Sequence, residues 1–220
     1  HGLHATFMPK PKEEVNGSGM HLNMALYKDG KNIFLDEGDS LGLSREAYAF
    51  IAGILEHIGG MTAILNPLVN SYKRLVPGFE APSDITWSSC QRTALIKVSR
   101  NMTGEKAVEL RSPDPSANPY LVFALCLAAG IDGIERGLDV PPEFTQNIRT
   151  MKDEEKRQEG IRSLPETLSD ALREMEQDAW SVQVLGRNFK ENYKRAKWEE
   201  WKSYRKHVSQ WETEQYLYQI

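Results

Sequence analysis

Glu109 and Arg111 are the first residues from which a chemistry can be read. They lie in Ala107-Val-Glu-Leu-Arg111, where apolar and charged residues alternate. A period of two marks a strand with two different faces. Val108 and Leu110 go to one side, and the carboxylate and guanidinium project together from the other. On an open exterior such a pair is a solvated salt bridge worth roughly 0–1 kcal/mol. Ser112-Pro-Asp-Pro115 cannot continue a ladder, because proline lacks the N–H donor. Pro119 then stands in the first turn of an apolar helix beginning near Tyr120, with Ala117 or Asn118 as cap candidates. Polar alternation directly before a buried helix puts the charged pair near the inside of the fold, where it is either a site or a structural bridge.

A second group precedes it. Val15-Asn-Gly-Ser-Gly-Met-His21 frames a serine with two glycines, a loop that can turn tightly or bring backbone groups close to a small ligand. Met20 to Tyr27 alternates, with His21, Asn23 and Ala25 on one face and Met20, Leu22, Met24 and Leu26 on the other. His21 is thus a metal or phosphate ligand on a polar strand face, or the maker of a local hydrogen bond. A third stretch, Asn70 to Pro82, carries Arg74 and Glu80 on a loop framed by Pro77, Gly78 and Pro82. Loops on rigid scaffolds are where binding groups concentrate.

The elements that must position these groups follow from pattern. Ala5 to Met8 reads as a strand stopped by Pro9-Lys-Pro11. Asp29-Gly30 signals a hairpin, with Asn32 to Leu35 as its return strand. Ser44 caps a helix through Ala47, Phe50, Ile51, Ile54, Leu55 and Ile58, which Gly59-Gly60 should end. Trp87 to Ser99 is strand-like, with Arg92 and Lys97 as its cations, and Thr103-Gly104 turns the chain into the 107–111 strand. Tyr120 to Ile134 is apolar nearly all round and is expected to be buried. Ser163-Leu-Pro-Glu166 reads as a capping box, with Leu168, Leu172, Met175 and Ala179 on the inner face of the helix that follows. A last helix from Asn188 to about Lys206 carries the aromatic stripe Phe189, Tyr193, Trp198, Trp201 and Tyr204, a core or subunit contact.

Composition narrows the class. Of 220 residues, 40% are hydrophobic and 26% charged, so a sizeable core is expected. A formal net charge of -4 without a long basic run argues against nucleic acid or an anionic membrane as partner. Cys90 and Cys126 alone do not make a disulfide framework. No apolar run reads as a membrane span and no leader pattern opens the chain, so a cytoplasmic protein is expected. The start at His1, inside what reads as a strand approach, suggests a piece of a longer protein.

Taken together, Asn16-Gly-Ser-Gly-Met-His21, Asn70 to Pro82 and Glu109-Leu-Arg-Ser-Pro-Asp-Pro-Ser-Ala-Asn-Pro-Tyr120 resemble the catalytic domain of glutamine synthetase of the bacterial type I class, and the likeness runs to Trp211-Glu-Thr-Glu-Gln-Tyr216. The resemblance implies an α+β fold: a largely antiparallel curved sheet with flanking helices and a helical C-terminal part. Residues 1–135 would be the sheet-forming portion and 136–220 the helical portion of the same domain. It further implies ATP-dependent ligation of ammonia to glutamate through γ-glutamyl phosphate, with Mg²⁺ or Mn²⁺ as cofactor and ATP as co-substrate, in a homo-oligomer of two stacked hexameric rings.

By motif match, the resemblance makes His21 and Glu109 metal ligands and assigns glutamate to Asn16, Gly17, Arg74, Glu80 and Arg111. Glu80 would receive the ammonium proton and Arg92 would stabilise phosphate charge. Asn23, Met24 and Ala25, with Arg92 and Lys97, would lie at the nucleotide. Lys97 replaces a usual arginine and Ala25 a common serine, which is expected to weaken nucleotide positioning. The family's other metal-binding glutamates and its small N-terminal β-grasp domain would precede this chain, so the 220 residues alone are expected to make no glutamine. The alternatives are a γ-glutamyl ligase for a polyamine or other amine, and a non-catalytic structural relative.

Overall fold

The computed structural model describes residues 1–219. Its sheet is four-stranded in the order β1-β6-β5-β4, formed by Leu22–Met24 (β1), Lys106–Leu110 (β6), Ile96–Arg100 (β5) and Trp87–Ser88 (β4). β6 pairs antiparallel with both neighbours, and β4 with β5 is parallel, so the expected antiparallel sheet has one parallel pair. The α+β class is as expected. The alternation in 107–111 works as the sequence suggests: Leu22, Leu110 and Ile96 lie in one cross-strand row and are buried, while Asn23, Glu109 and Lys97 form the neighbouring row on the opposite face. Fully burying a side chain such as Leu110 stabilises the fold by roughly 1.5–3 kcal/mol.

Several sequence expectations are revised by packing. Ala5 to Met8 pairs with no strand among the described residues, and its side chains are exposed. β1 stops at Met24. The Asp29-Gly30 turn does form, both residues at positive φ, between Tyr27–Lys28 (β2) and Lys31–Asn32 (β3), but the return strand ends at Asn32. The expected strand over 87–99 is broken, because Ser88 Oγ accepts from the N–H groups of Cys90 and Gln91 while Glu143 accepts from Ser89 N. These bonds turn the backbone out of the ladder before it returns as β5.

The first long helix, α1, spans Arg45–Leu65 and is capped by Ser44, whose Oγ accepts from Ala47 N. It does not end at Gly59-Gly60. A Cβ on Gly60 would stand 2.5 Å from the carboxylate of Asp178, and one on Gly59 equally close to that of Glu174. The two glycines permit close approach of a neighbouring segment, and that packing outweighs the roughly 1 kcal/mol helix cost of each glycine. At 21 residues α1 is long and apolar enough to cross a membrane, contrary to the expectation from sequence, but 89% of its apolar window is buried inside the protein. It is a core helix.

α2 (Pro119–Arg136) begins at Asn118, whose side chain accepts from Tyr120 N and Leu121 N, and ends at left-handed Gly137. Only one side of it is buried: Tyr120, Phe123, Leu127 and Ile131, at helical spacing, are exposed. The short α3 (Asp153–Gln158) precedes α4 (Leu168–Gln177), which is capped by Thr167 rather than Ser163. Ser163 is taken by an antiparallel bridge to Asp84. Leu168, Leu172 and Met175 of α4 face the core as expected, but Ala179 is exposed. α5 (Trp180–Leu185), α6 (Arg187–Tyr204) and α7 (Gln210–Tyr216) complete the chain. On α6, Tyr193 donates to Ala63 O at 2.7 Å, which ties that helix to the end of α1. One hydrophobic cluster runs from Leu22 of the sheet to Met175 of α4.

Candidate active site

The end of β6 is where charge gathers. Glu109 Oε1 lies 2.6 Å from His21 Nδ1 and 3.5 Å from Arg111 Nε. Strand periodicity puts Glu109 and Arg111 on one face, and His21 is brought to them because β1 pairs with β6 in the register that sets Leu22 opposite Leu110. Arg111 is only 8% exposed, and its Nη1 is buried with no hydrogen-bond partner. A buried donor left unpaired costs roughly 1–3 kcal/mol, and Arg111 is one of the residues that line the large cavity of this region.

Arg74 follows the 3₁₀ turn Val69–Lys73 and is 3% exposed. Its Nη1 donates to Ser112 O at 2.7 Å and its Nη2 to Arg111 O at 3.1 Å. These carbonyls have no strand partner because the prolines after β6 end the ladder, and Ser112 O accepts from Asn66 Nδ2 as well, at 2.9 Å. Burial lowers the Arg74 pKa and Asp114 opposes that shift. Asp114 is itself fully buried, accepting from Asn66 Nδ2 and from Ser116 N. Asn66 and Asp114 thus support the cationic wall. Sequence reasoning gave them no role, although an aspartate between two prolines was a visible signal.

The glycine loop closes this wall from the other side. Ser18 N donates to Pro9 O, Met20 N donates to Pro113 O, and Asn70 pairs with the backbone of Lys10 in both directions. A Cβ on Gly19 would stand 2.5 Å from Arg74 Nη2. Arg74 cannot yield without losing a carbonyl, so Gly19 is required by close approach. Nothing in the local sequence singles out Asn70 as the clip for the segment containing Pro9 and Lys10.

The result is a cavity of about 420 Å³ lined by Asn16, Gly17, Gly19, His21, Arg74, Phe79, Glu80, Ala81 and Arg111. Asn23, Met24 and Ala25 line an adjacent cavity of about 500 Å³ with Phe50, Phe123 and Leu127, and His21 borders both. Lys97 is half-buried opposite Glu109 in the register. Arg92 lies exposed between β4 and β5 and lines neither cavity. The structure therefore brings His21, Glu109, Arg74, Arg111 and Glu80 to one place, and leaves Arg92 outside it.

The imidazole is held below its usual pKa, first by burial and then by the positive charge of Arg111, against the opposing pull of Glu109. A neutral ring at neutral pH donates from Nδ1 to Glu109 and keeps the Nε2 lone pair. Among the described residues no group of three or more His, Cys, Asp or Glu side chains could hold a metal. One imidazole nitrogen and one carboxylate do suit Mg²⁺ or Mn²⁺, which commonly take one or two protein ligands beside water and phosphate oxygens. The donors present fit as part of a coordination sphere.

Comparison with known proteins identifies the family. The family model described as glutamine synthetase, catalytic domain, matches residues 1–216. The glutamine synthetase of Clostridium saccharobutylicum is 53% identical over 217 residues, covering 99% of this chain and 49% of that protein. That of Thermus thermophilus is 51% identical over 218 residues, with 99% and 49% covered. Among solved structures, a GmaS/ADP complex matches with a TM-score of 0.82 at 36% identity, covering 96% of this chain and 49% of that one. Apo GmaS without ligand matches with a TM-score of 0.79 at 37% identity, with 97% and 48% covered. The chain spans about half the length of the curated relatives it matches.

Proposed function

The chain belongs to the glutamine synthetase family through its catalytic domain, and on that premise we propose that the whole protein joins ammonia to the γ-carboxylate of L-glutamate with cleavage of ATP. The observation that carries the reading is the gathering of Arg74, Arg111, His21 and Glu80 around one cavity. Two guanidinium groups at one cavity suit a dicarboxylate substrate.

Arg111, with Arg74 beside it, binds the carboxylates of glutamate, and Asn16 and the backbone at Gly17 orient its amino-acid end. A γ-carboxylate oxygen attacks the terminal phosphorus of ATP and ADP leaves, which gives γ-glutamyl phosphate. Glu80, on its proline-framed loop, takes a proton from ammonium. The freed nitrogen lone pair then attacks the acyl carbon, phosphate departs with the C–O bonding pair, and the surplus proton on nitrogen passes to the departing phosphate. His21 and Glu109 would hold a divalent cation, which when bound supplies charge neutralisation at the phosphoryl oxygens. Lys97 and the segment from Asn23 to Ala25 serve the nucleotide; Arg92, outside both cavities, is assigned to the phosphates on the motif match alone. A homo-oligomeric assembly and a cytoplasmic setting belong to the same proposal, on family grounds.

The test is steady-state assay of the whole protein with glutamate, ATP, Mg²⁺ or Mn²⁺ and ammonium. Glutamine and phosphate should form one to one. Phosphate release that requires an organic amine instead would favour the amine-ligase reading. No γ-glutamyl transfer to ammonia, hydroxylamine or amines would sink both.

A further inference from the structure

Behind the loop that carries Glu80 lies a smaller cavity of about 180 Å³. Phe79 and Ala81 line both this cavity and the large one, so the Glu80 loop is the partition between them. Thr93, next in the chain to Arg92, borders the small cavity too, and its Oγ1 is buried with no hydrogen-bond partner. The far wall comes from Ile148, Met151, Asp153 and Lys156.

The loop's two ends are held very differently. At the leading end Gly78 has φ +97° with nothing within 4 Å of where a Cβ would stand, and the Phe79 ring beside it carries Lys10 Nζ at 3.4 Å from its centre, with no buried ion pair there among the described residues. At the trailing end, two residues past Pro82, Asp84 is 3% exposed. Its carboxylate receives Lys156 Nζ at 3.0 and 3.2 Å, Ser83 Oγ at 2.9 Å and Ser163 Oγ at 3.2 Å. The lysine side chain, on α3, is only 13% exposed. Backbone bonds from Ile85 N to Arg162 O and from Leu164 N to Ser83 O flank the pair. An ion pair so far out of water is costly to break and geometrically definite. It joins the base of the Glu80 loop to the helix that closes the cavity behind it.

We propose that the Asp84–Lys156 pair is a latch that sets the position of the Glu80 loop over the large cavity, which makes both of them positioning residues for the proton acceptor. The mechanical part stands on the contacts alone, and its catalytic consequence rests on the reading given under Proposed function. Arg74 and Arg111 do not touch the latch, so its main effect falls on the proton transfer rather than on the hold of the two guanidinium groups on glutamate. The small cavity gives the loop space to sink into once the latch opens.

The test compares the whole protein with its Lys156→Met and Lys156→Arg variants by hydrogen exchange at residues 77–82 and by steady-state kinetics. Lys156→Met should exchange faster at 77–82 and lose about tenfold to a hundredfold in kcat, the scale expected when a reacting group is misplaced by about 1 Å. KM for glutamate should change much less than kcat, and Lys156→Arg should restore both readouts. If Lys156→Met does not fold, the neutral double variant Asp84→Asn/Lys156→Met carries the measurement, since it leaves no unpaired buried charge. Unchanged exchange at 77–82 in a folded variant would overturn the latch. Faster exchange with undiminished kcat would overturn its link to Glu80. Faster exchange in a protein that ligates nothing, parent included, would support the latch and count against the ligase reading.

Discussion

Replacing Arg111 by methionine should harm substrate binding without harming the fold, and the structure sets the sign of each effect. Arg111 is 8% exposed, its Nη1 has no partner, and its contact with Glu109 is a loose 3.5 Å. Methionine fills much of the same volume and removes an unpaired buried donor that costs the fold roughly 1–3 kcal/mol. The lost pair with Glu109 acts the other way, and Glu109 keeps His21 at 2.6 Å. The two terms are of similar size, so the melting temperature of Arg111→Met should stay close to the parent's. Binding has no such offset. A charge-assisted hydrogen bond to a carboxylate is worth about 1.5–3 kcal/mol. Losing one weakens affinity by about tenfold to a hundredfold, at ~1.4 kcal/mol per factor of ten. The assay is γ-glutamyl hydroxamate formation by the whole protein with glutamate as the varied substrate, beside a thermal melt. A second readout is the imidazole of His21, whose pKa should rise once the positive charge that helps depress it is gone. An Arg111→Met variant with unchanged glutamate KM and a sharply lowered melting temperature would show the guanidinium to be structural, and the reasoning would fail.

Three further expectations concern other parts of the molecule. Glu80→Gln should lower kcat with ammonium by about 10²–10⁴-fold, the usual contribution of a positioned proton acceptor, with glutamate binding retained; an undiminished kcat would remove Glu80 from the chemistry. Ser44→Ala deletes the cap of α1 and a bond from Ser44 Oγ to Ile33 O at 2.6 Å; a loss of about 1–2 kcal/mol is expected, read as a drop of a few degrees in a thermal melt. Asp39 is held below the usual carboxylate pKa, mainly by the N–H of Leu43 and further by that of Leu41 and the hydroxyl of Tyr48. Its contribution to stability is therefore complete above the unfolded value of roughly 3.9 and is lost as pH falls through the lower folded value. The stability gap between parent and Asp39→Asn should be constant at neutral pH and close in acid, and a gap that widens on acidification would reverse the sign.

Much of the candidate site was legible before any coordinates. The run Ala107 to Arg111 assigns its own faces, because period two is a property of the extended chain wherever it lies. Ser44, Asp29-Gly30 and Pro119 likewise announce themselves, since a cap or a tight turn is made among residues three or four apart, while the choice of Asn118 over Ala117 as cap came from the structure. Sequence motifs also drew His21, Arg74, Glu80, Glu109 and Arg111 into one group, and all but Glu109 line one cavity, with Glu109 bonded to His21 beside it.

Other features could not be read this way, because they depend on residues far apart in the chain. Gly59-Gly60 looks like a stop until Glu174 and Asp178 of a distant segment are seen packed over it. Ser163 looks like a cap until Asp84 takes it, 79 residues away. The apolar pattern of α2 shows that one side must be buried and is silent on what, if anything, covers Tyr120, Phe123, Leu127 and Ile131. The two donors of Arg74 are turned onto backbone carbonyls 37 and 38 residues on, which no local rule encodes. Backbone periodicity and capping act over a single turn or pleat and are written in neighbouring letters. Burial, partner choice and the exposure of a charge are settled only when the whole chain has packed, and here that packing leaves one buried guanidinium donor at a cavity wall without a protein partner.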